Sequence, residues 1–188
     1  MLIPSPTESL ELLLQFDVPQ HIRAHSLLVA EVALFLAARL NRNSSRLDLR
    51  LIEAAALLHD VGKVSSLLTG ENHALLGAQM LDGIVHPAVS RIVEEHISLA
   101  SSQVAGPITE SLIVNYSDKR VMHDKVVSVE KRYEDLIVRY AKGPSQAQFL
   151  RGKLDLYAAL ETTVFSHLGI APHDTEIMEI TIDRIEGA

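Results

Sequence analysis

The segment LLHDVGK at residues 57–63 places His59 and Asp60 side by side at the end of an apolar run, with Lys63 three positions later. A carboxylate buried there without a partner would cost much free energy to desolvate. A divalent cation offsets that cost, and imidazole and carboxylate are both metal ligands. Taken alone, the pair is also compatible with an exposed helix end that binds nothing.

Two further residues extend this pattern on either side. His25 lies in the apolar segment HSLLVAEVA, and Asp118 lies in the segment NYSDKR. The chain therefore carries a histidine, then a histidine-aspartate pair, then an aspartate. The intervals are 34 positions from His25 to His59 and 58 positions from Asp60 to Asp118.

This order resembles the metal pattern of the HD superfamily of metal-dependent phosphohydrolases, over roughly residues 18–140. The segment SDKRVMHD at residues 117–124 also resembles the last motif of bacterial HD proteins of the HDIG type. The resemblance implies that His25, His59, Asp60 and Asp118 bind one divalent cation. Such nitrogen and oxygen ligands suit Fe, Mn, Co, Ni or Zn, with Mg also possible, and do not single out one metal.

Two more histidines, His73 and His96, lie between the second and the last of these residues. In HD relatives that bind two metals, histidines in this region hold the second ion, which implies the same for His73 and His96, with Asp60 bridging the pair. The alternative is that both histidines contact the substrate or support other ligands. His96 is followed by ISLA, and not by the extension of the HD-GYP branch, which disfavours cleavage of cyclic dinucleotides.

Three basic residues close to the proposed ligands are candidates for substrate binding: Lys63, Lys119 and Arg120. Each could contact a phosphate oxygen. For proton transfer we expect Asp60, or Glu95 acting through a water molecule, with Lys63 neutralising the charge that develops on the phosphate. These assignments give Asp60, Lys63 and Glu95 catalytic roles.

The function implied is hydrolysis of a phosphate ester or anhydride in a nucleotide-like small molecule, by water that the metal acidifies. Whether the enzyme is a phosphomonoesterase, a phosphodiesterase or a pyrophosphohydrolase stays open. One alternative is a mixed-valent di-iron oxygenase, a chemistry that a few HD relatives perform. Another is a non-catalytic domain that binds a nucleotide or a regulatory partner.

The hydrophobic pattern that must position these residues is helical almost throughout. It predicts an all-α protein of about eight or nine helices, and the resemblance implies that these form a compact HD-domain bundle, a single domain over residues 1–188. The motif-bearing core would span about residues 18–140, with C-terminal helices over residues 144–188 packing on it. We expect helices over residues 6–16, 20–42, 46–60, 73–83, 88–99, 109–118, 126–140, 146–168 and 175–185.

Composition limits the partners. The chain has no cysteine, and its formal net charge is −7, so thiolate metal sites are excluded and a nucleic acid polymer is a poor candidate. We therefore expect a small phosphorylated substrate, no membrane, a cytoplasmic location and, as a possibility raised by the apolar C-terminal helix, a homodimer. Tyr116, Tyr133 and Tyr140 are among the few aromatic residues available for stacking on a base, although a core or rim position is the alternative for each.

Overall fold

The computed structural model describes residues 1–43, 45–97 and 100–182, and within them the chain is a bundle of helices with one small hairpin. The all-α prediction is confirmed. The elements are α1 (Pro6–Gln15), α2 (Gln20–Arg42), α3 (Leu49–Leu58), α4 (Lys63–Thr69), α5 (His73–Leu81), α6 (Pro87–Glu95), α7 (Ser101–Val104), α8 (Glu110–Lys119), β1 (Val121–Met122), β2 (Lys125–Val126), α9 (Val129–Tyr140), α10 (Pro144–Phe165) and α11 (Thr175–Met178).

Helix α2 is the central element. It packs against α3 and α8, while α3 also contacts α1, α6 and α8. Among the described helices, α2 alone is long and apolar enough to cross a membrane by length and composition. Its apolar side chains, including Leu28, Val32 and Leu36, are buried between other helices. This burial is what a core helix of a globular bundle requires.

Helix α3 begins three residues later than the hydrophobic pattern predicts. The side chain of Asn41 bonds both the backbone N–H and the carbonyl of Leu47, at 2.8 and 2.9 Å, which fixes the chain before the helix. The Asp48 carboxylate then accepts hydrogen bonds from the N–H groups of Arg50 and Leu51. A capping aspartate satisfies donors that the first helical turn leaves free, and so defines the start.

The main departures from the predicted helices are two additional ones, α4 and α7, in segments that looked like loops. A helix follows Gly62 directly, because α4 begins at Lys63 and ends at Thr69, and Gly70 caps it in a left-handed conformation with φ of 75°. The hairpin was also missed, since its two-residue strands are too short to show alternation. The helices predicted over residues 88–99 and 175–185 are shorter than expected, since α6 ends at Glu95 and α11 ends at Met178. The predicted ends at residues 98–99 and 183–185 lie outside the described residues.

A close backbone crossing joins the turn after α3 to helix α5. A Cβ atom placed on Gly62 would lie 2.3 Å from the His73 carbonyl oxygen and 2.5 Å from the Gly77 nitrogen. Both neighbours are backbone atoms, so they have little freedom to move away. Glycine at position 62 therefore allows the His59-Asp60 turn to approach the first turn of α5, which carries His73.

We predict that Gly62→Ala lowers the free energy of unfolding by at least about 2 kcal/mol, because the new methyl group has no space between two backbone segments. Thermal or urea unfolding measures the change. The matched control is Gly152→Ala within α10, where a methyl group on the Cα would meet no atom within 4 Å. That change should stabilise the helix by about 0.5 to 1 kcal/mol. Equal stability of the two variants would contradict the close approach of the two backbone segments at Gly62.

Candidate metal centre

Two histidines at helix ends are oriented by the same kind of hydrogen bond to a backbone carbonyl. His59 follows α3 and His96 follows α6, and each is fully or almost fully buried. The Nδ1 of His59 is 2.7 Å from the Ala56 carbonyl oxygen, and the Nδ1 of His96 is 2.6 Å from that of Val93. Donation from Nδ1 satisfies a carbonyl that the helix end leaves free. It also leaves the lone pair on Nε2 as the ligand atom, as in many metal sites.

The Asp60 carboxylate lies among three imidazoles. Its Oδ1 is 3.2 Å from Nε2 of His73 and 3.7 Å from Nε2 of His96, whereas its Oδ2 is 3.6 Å from Nε2 of His59. Burial opposes ionisation of Asp60, but these groups, with His59 foremost, hold its pKa well below the usual range. Asp60 is therefore an anion, and its two oxygens face different imidazoles.

Asp118, in the last turn of α8, makes a second set of contacts. Its Oδ1 lies 3.0 Å from Nε2 of His25 and 3.7 Å from Nε2 of His59, and its Oδ2 accepts a hydrogen bond from Lys119. Burial again opposes ionisation, yet the Lys119 ammonium and the histidines keep the pKa of Asp118 well below its usual range. His59 is therefore shared between the two carboxylates.

The protonation of the imidazoles follows from this surrounding charge. Burial lowers the pKa of His96 to about 4, so its imidazole is neutral at pH 7. Burial also opposes protonation of His59, but the Asp60 and Asp118 carboxylates outweigh it and raise the pKa of His59. The two anions thus attract positive charge to the position that His59 faces, and a dication would compete with that proton.

The residues fit a metal ion. Nε2 of His59 is buried and has no hydrogen-bond partner among the described residues. Such an orphaned atom is costly unless a ligand engages it. Two groups of three ligand atoms lie close enough to hold an ion, namely His25, His59 and Asp118, and His59, Asp60 and His96. His73 adjoins the second group, with its Nε2 3.1 Å from that of His96.

Helix polarity supports the same conclusion. His59 and His96 follow the C-terminal ends of α3 and α6, and Asp118 lies in the last turn of α8. The C-terminal end of a helix carries a partial negative charge, which favours cations. Three helix ends of the same polarity therefore converge on the cluster.

A cleft of about 280 Å³ opens onto one side of the cluster. Its walls are formed by His21, Ile22, His25, Asp60, Lys63, Leu67, His123, Arg132, Arg139 and Tyr140. Lys63, at the start of α4, donates to both oxygens of Asp60 at 3.1 and 3.2 Å. The ammonium of Lys63 is therefore beside the cluster and open to a molecule in the cleft.

The sequence pattern predicted a helix over residues 126–140 but did not indicate that its arginines line this cleft. Arg132 and Arg139 are seven positions apart, or two helical turns, so they share one face of α9. That spacing was a usable signal, but nothing in the sequence indicated which element this face would meet. Of the tyrosines considered for stacking, Tyr116 and Tyr133 are buried in the core, whereas Tyr140 lines the cleft and is 59% exposed.

Three predicted site residues lie elsewhere. The Glu95 carboxylate accepts a hydrogen bond from Ser111 at 2.7 Å and lines a separate cavity with Arg91 and Glu110, and it is not among the residues that line the cleft. Lys119 is 8% exposed, and its ammonium faces Asp118 and the ring of Tyr157. Lys119 thus supports a candidate ligand from behind and does not line the cleft.

Arg120 requires the clearest correction, because its guanidinium is completely buried. It donates to the carbonyl oxygens of Val127 and Pro172 at 2.7 Å, to the hydroxyl of Tyr116 at 2.7 Å and to Glu161 at 3.3 Å. These partners belong to the hairpin, α8, α10 and the C-terminal segment. Arg120 therefore ties the C-terminal helices to the bundle and is not available to a substrate.

Comparison with known proteins agrees with this class of helical, histidine- and aspartate-rich metal site. The family described as the HD domain matches residues 22–122. A tRNA (cytidine(56)-2'-O)-methyltransferase of Thermoplasma volcanium is 29% identical over 163 residues, which are 75% of this chain and 46% of that protein. An uncharacterized protein of Methanocaldococcus jannaschii is 27% identical over 132 residues, 65% of this chain and 77% of that protein. No solved structure matched the chain.

The chain belongs to the HD domain family, since the match covers more than half of its residues. The matched part contains His25, His59, Asp60, His73, His96 and Asp118, the six residues that the fold brings together. Membership implies divalent metal binding and the phosphohydrolase type of family. The chain spans about half the length of the methyltransferase that it matches.

We predict that Arg120→Ala destabilises the protein by about 3 to 5 kcal/mol, because it leaves the buried Glu161 carboxylate without its cation. Denaturant unfolding gives the value. The control is Arg151→Ala on the exposed surface of α10, which should change stability by less than about 0.5 kcal/mol. If the Arg120→Ala protein were stable but bound substrate poorly, the original prediction that Arg120 contacts the substrate would be supported.

Proposed function

We propose that this protein hydrolyses a phosphate ester or anhydride bond in a nucleotide-like small molecule, with divalent metal bound at the cluster. The observation that carries the proposal is the convergence of two buried carboxylates and four imidazoles beside a cleft that His25, Asp60 and Lys63 line. A buried anionic cluster that served only stability would not need to adjoin an open cleft with a lysine in its wall.

The metal would be held by two overlapping sets of ligands. His25, His59 and Asp118 would form one set, and His59, Asp60 and His96 the other, so that His59 is common to both. His73 adjoins the second set through His96 and Asp60. One oxygen of Asp60 faces His59 and the other faces His73 and His96, so this carboxylate would be available to metal on either side. A bound dication supplies a more acidic water and polarises the phosphoryl oxygen.

The chain's own residues account for binding and charge. The part-exposed ammonium of Lys63 reaches Asp60 at 3.1 Å and can contact a phosphoryl oxygen from the same position. In the reaction, the water oxygen forms a bond to phosphorus while the bond from phosphorus to the leaving oxygen breaks. The leaving oxygen keeps the electron pair, and the proton that the water releases passes to the solvent. Lys63 stabilises the negative charge that spreads over the phosphoryl oxygens.

A second candidate function is favoured by the similarity to the tRNA methyltransferase. In that alternative the domain binds a nucleotide without turnover, as a module beside RNA-modifying activity. The acidic net charge of −7 supports a small ligand over an RNA polymer. Turnover separates the two candidates, because a binding module leaves the phosphate bonds of a nucleotide panel intact.

We predict two equivalents of Mn²⁺ or Co²⁺ per chain after loading and desalting, measured by elemental analysis. His73→Ala should retain one equivalent, because the set around His25 and Asp118 remains. His59→Ala should bind less than one, since His59 is common to both sets. His167→Ala, an exposed change far along the sequence in the C-terminal part, is the control and should match the parent protein. Unchanged metal content in His59→Ala would refute the assignment of the cluster.

We predict that Asp60→Asn abolishes release of phosphate from nucleotides by the metal-loaded protein, and that Lys63→Gln lowers kcat/KM by roughly 100-fold through loss of charge stabilisation. Lys125→Gln, on the exposed side of the hairpin, removes the same charge elsewhere and should leave the rate unchanged. A panel of nucleoside mono-, di- and triphosphates, assayed with and without chelator, provides the measurement. Full activity of Asp60→Asn would disprove the proposed chemistry.

A further inference from the structure

The wall of the cleft opposite the cluster is cationic although the chain as a whole is acidic. Arg132 and Arg139 line it from one face of α9. Asp60 is the one carboxylate among the described residues that line this cleft, and it belongs to the metal cluster. Three cationic side chains, those of Lys63, Arg132 and Arg139, thus surround a small volume in a protein of net charge −7. Such focused positive charge attracts a small anion.

The two arginines are held in place by a shared carboxylate. Asp135 Oδ1 is 2.8 Å from Nε of Arg139, and Asp135 Oδ2 is 3.5 Å from a terminal nitrogen of Arg132. His123, in the tight connection of the hairpin, contacts Arg139 through Nε2 at 2.7 Å. One carboxylate between two guanidinium groups leaves an excess of positive charge, and its contacts limit the motion of both side chains.

The arginines retain donors for a ligand. Nε of Arg132 is buried and has no hydrogen-bond partner among the described residues, while its side chain is 15% exposed. A buried donor without a partner costs free energy that an anion would recover. Arg139 is 43% exposed at the same wall. The planar fork of a guanidinium fits two oxygens of one phosphate.

Part of the lining of the cleft is apolar. Leu67 on α4 and Tyr140 at the end of α9 are 80% and 59% exposed, although both are large hydrophobic side chains. Ile22, on α2, also lines the cleft. An organic group, such as a nucleoside, would cover these side chains while its phosphates occupied the polar side of the cleft.

We propose that Arg132 and Arg139 bind a second phosphate of the substrate, adjoining the phosphate that is attacked at the metal cluster. This assignment rests on the proposed hydrolase function and narrows it. The substrate class is then a nucleotide with at least two linked phosphates, and a simple phosphomonoester lacks the group that α9 recognises. Asp135 acts as a positioning residue, because it contacts the arginines and not the cleft.

The test uses binding of two phosphonates that the enzyme has no means to hydrolyse. Methylenediphosphonate mimics two linked phosphates, and methylphosphonate mimics one. Calorimetric titration of the metal-loaded full chain, with metal content checked afterwards, should show that Arg132→Gln and Arg139→Gln each weaken methylenediphosphonate binding by roughly 10-fold or more, the value expected for loss of a charged hydrogen bond. Methylphosphonate binding should stay unchanged, which also establishes that the variants are folded.

Lys131→Gln is the matched control, because Lys131 is a neighbouring exposed cation on α9 that does not line the cleft. It should bind both phosphonates as the parent does. The assignment is overturned if both arginine variants bind methylenediphosphonate normally, if both ligands weaken equally, or if the parent protein does not bind methylenediphosphonate. Arginine-dependent binding without hydrolysis of any nucleotide would instead overturn the proposed function and leave the two arginines as a binding site for linked phosphates.

Discussion

The carboxylates of Asp60 and Asp118 are ionised and almost completely buried in a helical core. Removal of one such ion from water costs several kcal/mol, which is comparable to the whole net stability of a domain, about 5 to 15 kcal/mol. Favourable interactions with surrounding groups have to offset this cost. Four imidazoles and the Lys63 ammonium do so at distances of about 3 to 4 Å, and the Lys119 ammonium donates a hydrogen bond to Asp118. Helices α2, α3, α5, α6 and α8 each bring at least one of these groups to the cluster.

The way these helices end explains how the cluster is ordered. His59 and His96 each use one ring nitrogen to satisfy the last turn of a helix and direct the other nitrogen inward. The same bond therefore closes a helix and fixes a ligand atom. Because Gly62 lets α5 approach the turn after α3, His73 can join the group without a long connecting loop. Local backbone chemistry thus determines the geometry of a site whose members lie up to 93 positions apart.

Much of this could be predicted from the sequence, for identifiable reasons. Long apolar periodicity indicated the helices, and the spacing of His25, His59, Asp60 and Asp118 indicated the cluster. Helix α4 was missed because Gly62 and Gly70 looked like the limits of a loop. Arg120 was misjudged because its neighbour Asp118 faces the cluster while Arg120 itself turns toward Tyr116 and Glu161. Which face of a helix meets which partner depends on tertiary packing, and short sequence motifs carry little information about it.

The metal cluster and the arginines of the cleft come from two separate stretches of sequence. The residues that converge on the cluster all lie within positions 22–122, the part shared with the HD family, whereas Arg132, Arg139 and Tyr140 follow that part on a separate helix. Substitutions on the exposed face of α9 can therefore accumulate without disturbing buried ligands. A lineage that keeps its metal chemistry could adopt a new substrate by changing this one helix, so divergence among relatives should be concentrated there.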